Sequence, residues 1–161
     1  VAPGYIRVDA DEVTYPLHIM LRYRLERAML AGDLALSDLP GAWNDGMREF
    51  LGIVPPNDSL GCMQDIHWPD GGWGYFPTYT LGNVYAAQLF AAAERALGSL
   101  DETFAAGDFR TLRDWLGEHV HRHGSRFSAA GTIERATGSA PDPSAIIDSL
   151  TRRYAPQVNA G

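Results

Sequence analysis

The 161 residues are 45% hydrophobic and carry 13 basic against 20 acidic side chains, a formal charge of −7. That is enough apolar material for one domain with a core, and the acidic balance with scattered basic residues excludes nucleic acid and anionic membrane as expected partners. No apolar run approaches the roughly 18 to 20 residues of a membrane span, and the lone Cys62 excludes an internal disulfide and fits a reducing, cytoplasmic setting.

Helical signals dominate in chain order. After Tyr15-Pro16, the residues Leu17, Leu21, Leu25 and Ala28 recur at helical spacing, and Gly32 follows as a C-cap. A second helix is expected from near Pro40 to Gly52, with Trp43, Met47 and Phe50 on one face. Residues 53–79 read as an ordered, irregular loop with a short extended piece near Met63 to Ile66. A third helix is expected over about Thr80 to Leu97. Ser99 and Glu102 form a capping-box pattern that opens a fourth. Asp108 caps a fifth, which Gly124 stops, and two more are expected near Ser128 to Thr137 and after Asp142-Pro143 to about Tyr154. The expected fold class is all-α, a single unit over 1–161 with a frayed tail at 157–161. Because the chain opens on Val1 inside an ordered motif, a piece of a longer protein is expected.

Two segments concentrate chemistry. The first, IRVDADEVTYPLH, carries Arg7, Asp9, Asp11, Glu12, Tyr15 and His18 at or before the first helix. Carboxylates there complement a helix dipole, whereas a guanidinium on non-helical backbone suits bidentate capture of a carboxylate or a surface ion pair. His18 lies off the Leu17/Leu21 face and is either a polar core residue or a site residue. The second segment, GCMQDIHWPDGGWGYFPTY, breaks both helix and strand at Pro69, Gly71, Gly72, Gly74 and Pro77, yet is rich in rings that must pack on a scaffold. His67 and Tyr79 lie across its glycine-rich turn, and an imidazole and a phenol are good donors to an oxyanion formed on a carbonyl.

Ile6-Arg7, Ala10-Asp11, Glu12, Thr14 and Tyr15 resemble the IRxxADE(V/L)TY motif of the Taq-type zinc metallocarboxypeptidases, and Gly61, Gln64, Asp65, His67 and Trp68 resemble their GxxQDxHW motif. GYFPTY and the following LGNVYAAQLF are similar to the same proteins, so the resemblance covers essentially the whole chain. It implies the C-terminal helical part of a zincin-like, thimet-oligopeptidase-like peptidase fold, a homodimer, and release of single C-terminal amino acids from peptide substrates. It further implies that Tyr79 donates to the oxyanion, that His67 assists or contacts the substrate backbone, and that Arg7 holds the substrate's terminal carboxylate. Asp11, Gln64, Asp65 and Trp68 then shape the groove, with Tyr75 a weaker contact.

Such enzymes bind zinc through HExxH on a helix, and this chain contains no HExxH. His119 and His123 share a helix face, but a basic helix end explains them better than a metal site. The expectation is therefore a segment that binds no metal and is inactive by itself. Zinc, or cobalt, would be held by an N-terminal part of the same protein. The competing reading is a non-catalytic helical peptide-binding or assembly module.

Overall fold

The computed structural model describes residues 1–158, and the described residues contain helices and turns without a strand. Seven α-helices are named here in chain order: α1 Tyr15–Ala31, α2 Leu39–Leu51, α3 Pro77–Leu97, α4 Asp101–Ala105, α5 Arg110–His119, α6 Ala129–Thr137 and α7 Ser144–Val158. The fold is all-α. Residues 157–158 belong to α7, and the rest of the expected tail lies outside the described residues.

The chain divides into two compact units, with the division after Leu81 and therefore within α3. In the first, α1 and α2 enclose Leu21, Leu25, Trp43, Met47 and Leu51, with Cys62 and Trp68 of the long loop packed on this cluster. Burying each large side chain contributes about 1.5–3 kcal/mol. Gly46 sets how closely the two helices approach, because a Cβ there would collide with the Leu21 side chain and the Arg24 guanidinium. In the second unit the core is Ala92 and Ala93 of α3 against Trp115 of α5, with Leu89, Leu112 and Leu116 around it.

Most helix ends follow local chemistry. Gly32 and Gly138 close α1 and α6 in the left-handed conformation, and the Ser128 hydroxyl accepts from the Gly131 N–H to open α6. Helix α7 runs to Val158, past the expected end near Tyr154, and three other boundaries also differ from the sequence expectation. Helix α3 starts at Pro77, so the loop ends at 76: a proline has no N–H to lose in a first turn and its ring fixes φ near the helical value, so it initiates here rather than breaks. The capping box before α4 does not form. Leu100 is its N-cap residue without a side-chain cap bond, and Ser99 Oγ accepts only a 3.4 Å contact from Asp101 N. Helix α5 ends at His119, and His121–His123 form a separate tight turn before Gly124. The expected extended piece near Met63 to Ile66 forms no strand: Met63 closes a turn, Gln64 bends, and Asp65 and Ile66 are irregular.

Candidate functional site

The irregular segment 52–76 is anchored to α1 by buried polar groups, not only by its rings. On α1, His18, Arg22 and Glu26 recur every four residues and are buried, Arg22 and His18 at 0% exposure. They form a polar stripe beside Leu21 and Leu25. Sequence reasoning named His18 alone among the three, because an i, i+4, i+8 run of polar residues reads as an ordinary solvated helix face.

Asp65 lies at the centre. Its Oδ1 accepts from Arg7 Nη2 at 2.8 Å and Nε at 3.2 Å, and its Oδ2 accepts from Arg22 Nε at 2.6 Å. Gln64 completes the lattice. Its Oε1 accepts from the Arg7 backbone N–H at 2.9 Å and from Arg22 Nη2 at 2.8 Å, while its amide nitrogen donates to the carbonyls of Tyr5, Leu60 and Gly61. Arg22 Nη1 donates to the His18 carbonyl, and its guanidinium lies 4.6 Å from the Trp43 ring centroid.

Burial by itself would raise the Asp65 carboxyl, but the hydrogen bonds and charge of Arg7 and Arg22 hold it below the usual carboxylate range. Burial pushes Arg22 down to about 10 against the pull of Asp65. Arg7, where burial acts in the same direction, is raised because Asp65 and Tyr15 outweigh it. His18 is pushed down to about 4, first by burial and then by the Arg22 charge, against a smaller opposing pull from the Gly4 backbone.

Arg7 is therefore not a surface cation. It is 6% exposed, its Nη1 donates to the Tyr15 hydroxyl at 3.1 Å, and its guanidinium lies 4.9 Å from the Tyr79 ring centroid. Asp11 is used by backbone: its carboxylate accepts from the N–H groups of Ala2, Val13 and Thr14. Burial opposes ionisation of Asp11, and those N–H groups prevail and lower its pKa.

His67 and Tyr79 meet, with Nε2 of the imidazole 3.1 Å from the phenol oxygen. Which atom donates follows the imidazole tautomer. The His67 ring rests on Phe76 at 4.3 Å, and its Nδ1 has no hydrogen-bond partner and lies 3.8 Å from Asp65 Oδ1. Tyr75 is 51% exposed with its ring 5.3 Å from Tyr79 and 5.7 Å from His67. Trp68 packs edge-on against Trp43 and Phe76 and stacks with Trp73. The result is a half-buried imidazole–phenol pair under an exposed tyrosine, with a paired guanidinium against the phenol ring. Such an arrangement offers hydrogen-bond donors and a cation to an anionic or carbonyl-bearing ligand.

Among the described residues no group of three or more His, Cys, Asp or Glu side chains is placed to hold a metal ion. His119 Nδ1 lies 2.9 Å from the Trp115 carbonyl and its ring stacks on Trp115, while His123 lies in the separate turn His121–His123 with its ring edge-on to Phe127. No helix of the described chain is long and apolar enough to cross a membrane.

The fold is that of helical metallocarboxypeptidases. A metallocarboxypeptidase structure from Trypanosoma cruzi superposes with a TM-score of 0.92 at 41% identity, over 96% of this chain and 33% of that one. The carboxypeptidase of Deinococcus radiodurans superposes equally, at 46% identity over 96% of this chain and 31% of its own. A family model described as Carboxypeptidase Taq (M32) metallopeptidase matches residues 1–154, and the chain belongs to that family. Among curated relatives, thermostable carboxypeptidase 1 of Thermus thermophilus is 49% identical over 96% of this chain. The chain spans 30% of that relative's length. The family name implies a metal, for which the described residues by themselves place no group of three or more His, Cys, Asp or Glu side chains together.

Proposed function

We propose that this chain is the C-terminal segment of a zinc-dependent carboxypeptidase, with cobalt as an alternative ion, that releases single C-terminal amino acids from peptides. The segment supplies substrate-carboxylate binding and oxyanion stabilisation, while an HExxH helix elsewhere in the protein supplies the metal site. The observation that carries the reading is the 3.1 Å contact between His67 Nε2 and Tyr79 Oη beside the Arg7 guanidinium.

Three groups act in distinct steps. Arg7 has two N–H groups that its bonds to Asp65 and Tyr15 leave over, and these take the substrate's terminal carboxylate. Tyr79 donates its phenolic hydrogen to the oxygen of the scissile carbonyl as charge develops there, and His67 holds the phenol in place and contacts the substrate backbone. Gln64 and Asp65 keep Arg7 fixed, Asp11 fixes the turn before α1, and Tyr75 with Trp68 lines the groove. The intact protein is a homodimer in the cytoplasm, and exposed Met63 and Ile66, at 73% and 74%, support contacts with chain beyond this segment. The isolated segment hydrolyses no peptide.

The test is Tyr79→Phe in the intact protein, which removes one hydroxyl with little change of shape. It is expected to lower kcat about a hundredfold to a thousandfold with KM little altered. Arg7→Ala raises KM and weakens discrimination against C-terminally amidated peptides. A kcat for Tyr79→Phe within about threefold of the parent would falsify the oxyanion role, whereas an intact parent that hydrolyses no peptide would leave a peptide-binding or assembly module as the better reading.

A further inference from the structure

We infer that Glu26, on α1, is a positioning residue for the His67–Tyr79 pair: its carboxylate bridges both arms of the loop that separates them. The inference rests on the carboxypeptidase reading above. Oε2 of Glu26 accepts from the Trp68 indole N–H at 2.7 Å, and Oε1 accepts from the Gly74 backbone N–H at 2.6 Å. Trp68 adjoins His67 on the entering arm. Gly74 adjoins Tyr75 on the returning arm, three residues before α3 and Tyr79 begin to follow at Pro77. One side chain thus ties the two sides of the turn to a single point on a rigid helix.

Past Gln64 and Asp65, which Arg7 and Arg22 hold, the loop's other backbone hydrogen bonds are local. Asp70 N donates to the Ile66 carbonyl, Gly71 N to Trp68, Gly72 N to His67, and Tyr75 N to Gly72. These shape the turn but fix it to nothing outside itself. Gly74 holds φ at +80°, a conformation that a residue with a Cβ adopts only at a cost, and it is this residue whose N–H reaches Glu26. Glu26 is 3% exposed, and a buried carboxylate stays satisfied only while its donors remain in place. The geometry also explains the choice of side chain. Both partners are donors, so two acceptor oxygens are required; glutamine would offer one acceptor and set its amide N–H against the other donor. An ångström of slack in this tie would open the 3.1 Å His67–Tyr79 contact, and misplacement on that scale costs up to about a hundredfold in rate.

The experiment compares Glu26→Gln, Tyr79→Phe and the double variant in the intact protein with a peptide substrate, each checked for folding by thermal melting. Glu26→Gln is expected to lower kcat about tenfold with KM within about twofold, and the double variant to be no more than about twofold slower than Tyr79→Phe alone. A residue that merely stabilised the fold would give losses that multiply, and multiplied losses overturn the inference. So does a Glu26→Gln kcat within about twofold of the parent. Should Glu26→Gln melt too early to assay, Trp68→Phe removes the same indole N–H and leaves Glu26 unchanged; the same non-additivity is then required of it. If Tyr79→Phe proves inert while the parent turns over peptide, the oxyanion role of Tyr79 falls by itself. Amide exchange over 71–76 in Glu26→Gln then decides the tie: faster exchange supports it, and unchanged exchange overturns it.

Discussion

Each unit of this protein is pinned by one glutamine, and the two glutamines are used differently. Gln64 sits among charges: it joins Arg7 and Arg22, both on Asp65, to the carbonyls of Tyr5, Leu60 and Gly61. Gln88, on α3, works with neutral partners. Its amide nitrogen faces Thr137 Oγ1, Ser139 and the Ala140 carbonyl, and its Oε1 accepts from Asp142 N, which fixes the turn between α6 and α7. Every buried charged side chain among the described residues, Arg7, Arg22 and Glu26, belongs to the first unit, as does the buried His18. A neutral hub is sufficient to hold a connection. Buried ion pairs are weak evidence for stability, since apolar residues often replace them without loss, so a lattice of them around His67 and Tyr79 points to positioning rather than to holding the fold.

The comparison makes Arg22 the point of greatest sensitivity. Arg22→Met keeps much of the volume but leaves Asp65 on one cation and the Gln64 Oε1 on one donor, and removes the side-chain bond to the His18 carbonyl. The expected cost is about 3–5 kcal/mol, read as loss of amide-exchange protection across residues 1–81. Equal loss beyond residue 82 would break the distinction between the two units.

Acid should separate the units next. His18 has a folded-state pKa of about 4 against an ordinary value of 6.5, so the unfolded chain binds its proton first as pH falls. Its contribution to stability is complete above pH 6.5 and is lost as pH falls from there to about 4. Below that, the lowered pKa of Asp65 extends the loss. Amide-exchange protection in the intact protein, taken relative to the intrinsic rate at each pH, is expected to fall between pH 7 and 4.5 in residues 1–81 before it falls in 82–154. Simultaneous loosening would show that His18 does not set the acid limit.

The smallest effect expected is that of Gln88→Leu, about 1–3 kcal/mol from the unpaired groups it leaves. It should appear as faster exchange over 137–144 with kcat unchanged. A fall in kcat would show that the neutral hub also serves the site.

The sequence by itself determined the helices and the nature of the loop. The Pro16 start, the Gly32 and Gly52 stops and the Ser128 cap are local: each depends on one residue's φ preference or one side chain's reach to a nearby N–H. The motifs around Arg7 and His67 were equally legible, because the residues that carry them are adjacent in the chain. At Pro77 local sequence is ambiguous, since the same ring that ends a helix also begins one, and only the following turn distinguishes the cases. The polar stripe of α1 could not be read from local sequence. His18, Arg22 and Glu26 are compatible with solvent in any isolated helix, and their burial depends on Gln64, Asp65, Trp68 and Gly74 arriving from more than forty residues away. Tertiary structure decided that a charged face would be buried, since only a folded chain brings partners close enough to offset the cost of taking those charges out of water.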